Sequence, residues 1–288
     1  MLKRAYVEIT NVCNLRCAFC PGTRRAPRTM TAEEFARVLD ELSGRVSYVY
    51  LHVMGEPLLH PQLAALLALA AARGMKVCLT TNGTLLGKRA ETLLAAPALH
   101  KVSVSLHSVE ENGGDPAQAR DYLEAAWSFA VRAAARGVIV ALRLWNGGAA
   151  DAGNGAILDF LREKTGTDAW PEPRAHSFRL TENVYLEREN AFAWPDLAAD
   201  EAPTEFCLGL REQLGVLADG TVVPCCLDHE GDVALGNLFT QGLDEILNGA
   251  RARALVEGFS RRRPAEALCR RCGYATRFNR GGRLSGGE

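Results

Sequence analysis

Residues 11–20 read NVCNLRCAFC and place three cysteines, Cys13, Cys17 and Cys20, within eight positions. The stretch directly follows Ala5–Thr10, whose apolar and β-branched residues are typical of a buried strand. In α/β barrels, the loops after the strands are where functional sites form. Three closely spaced thiolates can bind three corners of a [4Fe–4S] cube and leave the fourth iron open. Zinc usually takes four ligands in paired spacing, and three cysteines packed as small apolar residues are the remaining alternative.

The chain has 288 residues, a net charge of −1 and nine cysteines. Its charge gives no electrostatic attraction to nucleic acid or to an anionic membrane surface. It has no apolar run of about 18 residues that could span a bilayer, and no secretory signal. We therefore expect a cytoplasmic protein, in which stable disulfides are rare. Since an odd number of cysteines cannot pair completely, metal binding, catalysis or packing must account for them.

Apolar runs alternate with helical patterns from residue 5 to residue 184. A capping box of Thr31 and Glu34, for example, marks the start of the first helix. Six strand–helix units predict an α/β fold, a partial (β/α)6 TIM-like barrel. The predicted strands are Ala5–Thr10, Val46–Val53, Lys76–Thr81, Lys101–His107, Val138–Trp145 and Phe178–Val184.

The C-terminal part of the chain has a different pattern. Asp219-Gly220 is a two-residue hairpin signal between the predicted strands Gln213–Ala218 and Thr221–Cys226. A helix is predicted over Thr240–Gly258. The predicted domains are the barrel at 1–190, a linker at 191–206, a small C-terminal β-hairpin plus helix extension at 207–280, and a flexible tail at 281–288.

The CxxxCxxC spacing of the first three cysteines, with Phe19 before the last of them, resembles the radical S-adenosylmethionine (SAM) superfamily. In that family the three cysteines hold a [4Fe–4S] cluster, and the amino and carboxylate groups of SAM bind its fourth iron. Reductive cleavage of SAM gives a 5′-deoxyadenosyl radical that abstracts a hydrogen atom from the substrate. The resemblance implies this catalytic role for Cys13, Cys17 and Cys20.

Other segments resemble the SAM pocket of the family and follow successive predicted strands. Val53–Pro57 reads VMGEP, similar to the GGEP segment that meets the amino group of SAM, and Thr80–Gly83 reads TTNG, similar to the TNG element. The SAM-binding residues that the resemblance implies are Phe19, Gly55, Glu56, Asn82, Ser103, Ser105, Arg143 (to the carboxylate) and Asn146 (to the ribose). Singly, each has a plainer interpretation: a turn for the motifs, a backbone hydrogen bond for the serines and a salt bridge for Arg143.

A second set of cysteines lies near the C-terminus: Cys207, Cys225, Cys226, Cys269 and Cys272. Adjacent strand residues face opposite sides, so one of Cys225 and Cys226 is expected to face a metal centre. Four thiolates would close a second [4Fe–4S] cluster, with a structural zinc ribbon as the alternative. The pattern resembles the SPASM/twitch extensions of radical SAM enzymes, which implies an auxiliary cluster on Cys207, Cys225, Cys269 and Cys272.

The resemblance implies an oxidative radical enzyme whose auxiliary cluster accepts an electron. The substrate is expected to be a small molecule such as a carbohydrate alcohol, since the first strand begins near residue 5 and leaves no room for a leader-peptide domain; a peptide or protein is the alternative. A flavodoxin- or ferredoxin-type protein is the expected reductant, with no nucleic acid or membrane partner. Candidate bases are His107, Asp228 and Glu182, while Cys78 is expected to pack in the core. A non-catalytic iron–sulfur or zinc protein is the hypothesis of another class.

Overall fold

The computed structural model describes residues 2–108, 116–149 and 151–279, so the predicted tail at 281–288 lies outside the described residues. The strands are β1 (Arg4–Val7), β2 (Tyr48–Leu51), β3 (Lys76–Thr81), β4 (Leu99–Ser105), β5 (Ile139–Gly147), β6 (Ser177–Thr181), β7 (Val184–Asn190), β8 (Gln213–Val216), β9 (Thr221–Val223) and β10 (Gly236–Asn237). The helices are α1 (Ala32–Leu42), α2 (Leu63–Ala72), α3 (Leu86–Leu94), α4 (Pro116–Ala134), α5 (Asn154–Thr165), α6 (Leu243–Leu247), α7 (Ala250–Ser260) and α8 (Ala267–Arg270).

The ten strands of the described residues belong to one sheet, in the order β10-β9-β8-β1-β2-β3-β4-β5-β7-β6. Its centre consists of six neighbouring parallel strands, β1 to β5 and β7. Helices α1 to α5 lie in the connections between these strands, as crossovers between parallel strands require. The predicted α/β class, with six parallel strands and their helices, is confirmed. Among the described residues, no helix has the length and apolar character needed to cross a membrane.

The predicted sixth strand, Phe178–Val184, is wrong because this segment contains a turn. Asn183 has a left-handed backbone (φ +57°) and separates β6 from β7. β6 is an antiparallel edge strand, and the sixth parallel strand is β7, paired with β5. The apolar pattern hid the turn, since asparagine tolerates this conformation without a glycine beside it.

The predicted helix Thr240–Gly258 is also wrong as a single element. It is divided into α6 and α7 at Asn248 and Gly249, and Gly249 caps α7 with an extended backbone (φ −61°, ψ 151°). Asparagine and glycine are both poor helix formers, so a break at this pair costs little.

The central strands have one apolar and one polar face. Alternate residues such as Val7, Leu51 and Val104 are buried against the helices and form the main core with Phe35 and Phe129. The opposite face, which we call the inner face, carries polar and aromatic side chains: Arg4, Tyr6, Tyr50, Cys78, Lys101, Ser103, Ser105, Arg143 and Glu187. The register places Tyr6, Tyr50, Cys78 and Lys101 in one row across β1 to β4.

The predicted hairpin around Asp219-Gly220 is confirmed, with β8 and β9 antiparallel and Gly220 in a left-handed conformation (φ +85°). β8 also pairs in parallel with β1, from Arg4 opposite Gln213 to Val7 opposite Val216. The C-terminal region therefore extends the barrel sheet, and it does so at the strand that leads into the first cysteine loop.

Candidate cofactor sites

The first cysteine loop leaves the end of β1 and is closed by polar contacts at its base. Thr10 bridges to Thr29. The Asn11 side chain donates to the carbonyl of Ala26 (2.9 Å) and accepts from the amide of Arg28 (2.7 Å). Within the loop, Cys13 and Cys20 are exposed and Cys17 is half-buried. The three predicted cluster ligands are thus presented on a loop with a fixed base.

The VMGEP segment packs directly on this loop. The amide of Glu56 donates to the carbonyl of Val12 (2.9 Å). Gly55 has a left-handed backbone (φ +77°), and a Cβ added there would lie 2.3 Å from the carbonyl oxygen of Thr10. Only glycine fits, because a side chain would push the segment away from the loop.

The Glu56 side chain is buried (1% exposed), and one of its carboxylate oxygens already accepts two hydrogen bonds. Its Oε1 accepts from the Thr81 hydroxyl (2.7 Å) and the Leu58 amide (3.0 Å), and its Oε2 accepts from the Asn82 amide (2.7 Å). Burial raises the pKa of this carboxyl despite these hydrogen bonds. Glu56 therefore joins the loops after β2 and β3, and its contact with the amino group of SAM stays a prediction.

Asn82 lies beside the first cysteine of the motif. Its Nδ2 donates to Asn14 Oδ1 (3.0 Å) and lies 3.9 Å from Cys13 Sγ. Its backbone carbonyl accepts from the Tyr122 hydroxyl (2.8 Å). The structure thus brings the TTNG segment, the VMGEP segment and the cysteine loop together at the carboxyl ends of β1 to β3.

The remaining predicted SAM contacts lie on β4 and β5. Ser103 and Ser105 share the inner face, as expected from their spacing. Arg143 Nε donates to Glu187 Oε2 (2.8 Å), the salt-bridge alternative left open by the sequence. Asn146 is buried and exchanges two amide hydrogen bonds with Asn154 (3.2 and 3.0 Å). Their roles toward SAM remain predictions.

Phe19 connects the cysteine loop to two other parts of the molecule. Its ring lies 4.6 Å from that of His107, between centroids, and its carbonyl accepts from the Trp194 indole (3.2 Å). Trp194 belongs to the predicted linker, and its ring also lies 5.5 Å from His229. Nothing in the sequence around Trp194 pointed to this contact.

Glu8 is a functional candidate that the sequence interpretation missed. It is fully buried, and its carboxylate accepts from both terminal nitrogens of Arg25 (2.7 Å each). It also accepts from the amides of Met54 and Ala218 (3.1 Å each). One side chain therefore joins the cysteine loop, the VMGEP segment and the C-terminal hairpin. The signal was the alternation Arg4, Tyr6, Glu8, which marks a polar strand face.

Four of the five C-terminal cysteines line one cavity that is partly open to solvent. Its lining includes all four predicted ligands: Cys207, Cys225, Cys269 and Cys272. Cys226 is not part of this lining. It packs instead against the apolar cluster of Val53 and Met54, which Tyr6 also covers.

The donor set of this cavity fits an iron–sulfur cluster. Burial raises the pKa of the Cys207 thiol to about 11 and that of Cys225 well above its usual value. A thiolate-binding metal would displace these protons. Four thiols that line one cavity can each bind one iron of a four-iron cube.

The candidate bases lie in three different environments. His107 is buried, with Nδ1 3.0 Å from the carbonyl of Arg143. Asp228 lines the C-terminal cavity, accepts from the amide of Val233 (2.9 Å), and burial raises its pKa to about 6. Glu182 is exposed in the turn between β6 and β7. The structure therefore places His107 and Asp228, but not Glu182, beside a cysteine site.

Two family models match the chain. Residues 7–146 match the radical SAM superfamily, and residues 207–273 match the SPASM iron–sulfur cluster-binding domain. Both lie inside the predicted barrel and extension, whose boundaries remain predictions.

Curated relatives match parts of the chain. A GTP 3′,8-cyclase of Chlorobaculum tepidum is 32% identical over 122 residues, covering 41% of this chain and 37% of the relative. An Fe-coproporphyrin III synthase of Methanosarcina barkeri is 27% identical over 198 residues, covering 68% and 47%. The chain thus spans less than half the length of either relative.

Solved structures share the fold at low identity. BtrN in complex with AdoMet and 2-DOIA has a TM-score of 0.62 at 17% identity, covering 94% of this chain and 93% of BtrN. SuiB of Streptococcus suis, bound to the precursor peptide SuiA, has a TM-score of 0.63 at 16% identity, covering 96% and 70%. The two family models, which match residues 7–146 and 207–273, show that the chain belongs to the radical SAM superfamily and carries a C-terminal SPASM iron–sulfur cluster-binding domain.

Proposed function

We propose that this protein reductively cleaves SAM and uses the resulting radical to oxidise a small-molecule substrate, such as a carbohydrate alcohol. The observation that carries the proposal is the pair of cysteine sites on one sheet: three thiols on an open loop and four around a cavity. When bound, the clusters and SAM supply the radical and accept the second electron of the oxidation.

Different groups of residues would have separate roles in this reaction. Cys13, Cys17 and Cys20 would hold the SAM-binding cluster, and Cys207, Cys225, Cys269 and Cys272 the auxiliary one. Phe19, Gly55, Glu56 and Asn82 would shape the SAM pocket, with Ser103, Ser105, Arg143 and Asn146 lining it from β4 and β5. His107, which contacts both Phe19 and the backbone of Arg143, is the base best placed to take a proton beside SAM.

A small-molecule substrate is supported by the match to BtrN, whose structure contains AdoMet and 2-DOIA. This match extends over nearly the whole of both chains. A peptide substrate is the second candidate, supported by the similarity to SuiB with its bound precursor peptide. In either case we propose a flavodoxin- or ferredoxin-type protein as the one-electron donor.

The test is anaerobic reconstitution with iron and sulfide, followed by incubation with SAM and dithionite. We expect 5′-deoxyadenosine and methionine in equal amounts, and about eight irons per chain from two four-iron clusters. A variant with Cys13, Cys17 and Cys20 all changed to Ala should form no 5′-deoxyadenosine and keep about four irons.

Two results would contradict the proposal. Wild-type protein that forms no 5′-deoxyadenosine above the level of the triple variant would exclude SAM cleavage. A triple variant that binds zinc in place of iron would exclude the auxiliary cluster.

A further inference from the structure

Cations outnumber carboxylates on the inner face. Glu187 accepts from both Lys101 Nζ (2.9 Å) and Arg143 Nε (2.8 Å). Burial raises the pKa of the Glu187 carboxyl, but the charges of Arg143 and Lys101 together lower it by more, to about 2. The Glu187 side chain is therefore ionised at neutral pH. Across the sheet, Arg4 lies 4.0 Å from Glu212, which Lys3 also pairs with at 3.0 Å. Glu187 and Glu212 are thus each shared between two cations, whereas Glu8, just beyond β1, is paired with Arg25 alone among the ion pairs of the described residues.

The same face holds buried nitrogen atoms that have no hydrogen-bond partner. In the part of the chain that the structure describes, His52 Nδ1, Trp145 Nε1 and Arg4 Nε are buried without a hydrogen-bond partner. The indole and guanidinium nitrogens can only donate. Burial, with a smaller effect of Arg143, lowers the pKa of His52 to about 3, so its ring is neutral and can donate through one nitrogen. Unpaired buried donors favour a ligand rich in acceptors.

This donor-rich region lies next to the predicted SAM site. The Arg143 guanidinium lies 4.3 Å from the ring centre of Trp145, and the Arg143 carbonyl accepts from His107. His107 in turn packs on Phe19, the neighbour of Cys20. A substrate group held on the inner face beside Arg143 would therefore be separated from the cysteine loop by the side chain of His107.

We propose that the inner face is an oxoanion-binding chamber, so that the substrate carries a carboxylate or phosphate group. Lys101 and Arg4 supply the charge, the unpaired indole of Trp145 donates a hydrogen bond, and the His52 ring can donate another from its protonated nitrogen. Glu187 opposes the anion and limits its affinity. The assignment of this anion to the substrate rests on the proposed function, because the substrate of a SAM-derived radical must lie beside SAM.

The test is calorimetric titration of the cluster-loaded protein with three probes that share a three-carbon skeleton: glycerol 3-phosphate, glycerate and glycerol. We expect at least one anion to bind about tenfold or more tightly than glycerol, and the tighter anion identifies the group. Lys101→Met should weaken anion binding about tenfold, whereas Glu187→Gln should strengthen it severalfold. Lys88→Met, an exposed lysine on α3, is the matched control and should leave it unchanged.

Lys101→Met and Glu187→Gln are expected to change anion affinity in opposite directions. This separates a binding role from a structural one, because a damaged fold would weaken anion binding in both variants. Equal affinity for glycerol and both anions, or weaker binding in Glu187→Gln, overturns the proposal. The same preparations are assayed for 5′-deoxyadenosine. Protein that cleaves SAM but prefers no anion overturns the chamber alone, and protein that binds anions but cleaves no SAM overturns the proposed function alone.

Discussion

Cys225 and Cys226 are neighbours in sequence but have different surroundings. Cys225 lines the C-terminal cavity with the three other thiols, whereas Cys226 packs against the cluster of Val53 and Met54. The predicted strand Thr221–Cys226 is too long, because β9 ends at Val223 and both thiols lie in the turn beyond it. The turn, and not strand alternation, directs one thiol to the cavity and the other to the barrel. The pair therefore offers a matched comparison of a ligand with a packing cysteine.

We predict that Cys225→Ala loses the auxiliary cluster and Cys226→Ala keeps it. Iron counting after anaerobic reconstitution should give about four irons for Cys225→Ala and about eight for Cys226→Ala. Full iron content in Cys225→Ala together with a loss in Cys226→Ala would reverse the assignment.

The VMGEP turn shows how one element sets the position of another. Gly55 presses against the backbone of Thr10 and Val12, and the adjacent Glu56 amide donates to Val12. The motif could be found from the sequence, because it is a short local pattern. Its contact with the cysteine loop could not, since that contact depends on the pairing of β1 with β2.

We predict that Gly55→Ala destabilises the protein more than Gly44→Ala. Both glycines have left-handed backbones (φ +77° and +72°), but only Gly55 has atoms near the added Cβ. The backbone cost alone is about 1–2 kcal/mol in each variant, and the collision at Gly55 adds about 1–3 kcal/mol. Urea unfolding of the iron-free proteins measures the difference, and equal free energies of unfolding would contradict the prediction.

In the whole molecule, the two cysteine sites are held on one sheet. β8 of the C-terminal region pairs with β1 of the barrel, and Glu8 at the end of β1 accepts from the amide of Ala218 just beyond β8. The strand that positions the first cysteine loop is therefore fixed from its far side by the extension.

We predict that residues 1–206 do not form a stable barrel alone. Removing β8 exposes the edge of β1, and unpaired edges favour aggregation. The buried Glu8 also loses one of its donors. The full chain should unfold in one cooperative transition, and the fragment should be largely insoluble. A soluble, monomeric fragment that unfolds at the same temperature as the full chain would disprove this coupling.

The sequence by itself determined the chemistry of the two sites. The CxxxCxxC spacing, the CxxC pair, the capping box at Thr31 and the turn at Asp219-Gly220 are all set within a few residues, so local patterns reveal them. It also indicated the alternation of strands and helices, except where Asn183 and Gly249 interrupt it.

Only the tertiary structure decided which side chains meet. The four cysteines around one cavity come from residues 207 to 272, and Glu8 joins segments as distant as residue 218. The inner face, with Lys101 and Arg143 on Glu187, is built by strands that neighbour each other only in the folded sheet. Spacing along a chain fixes the geometry of a loop, whereas burial, charge pairing and cavity shape depend on how distant strands pack.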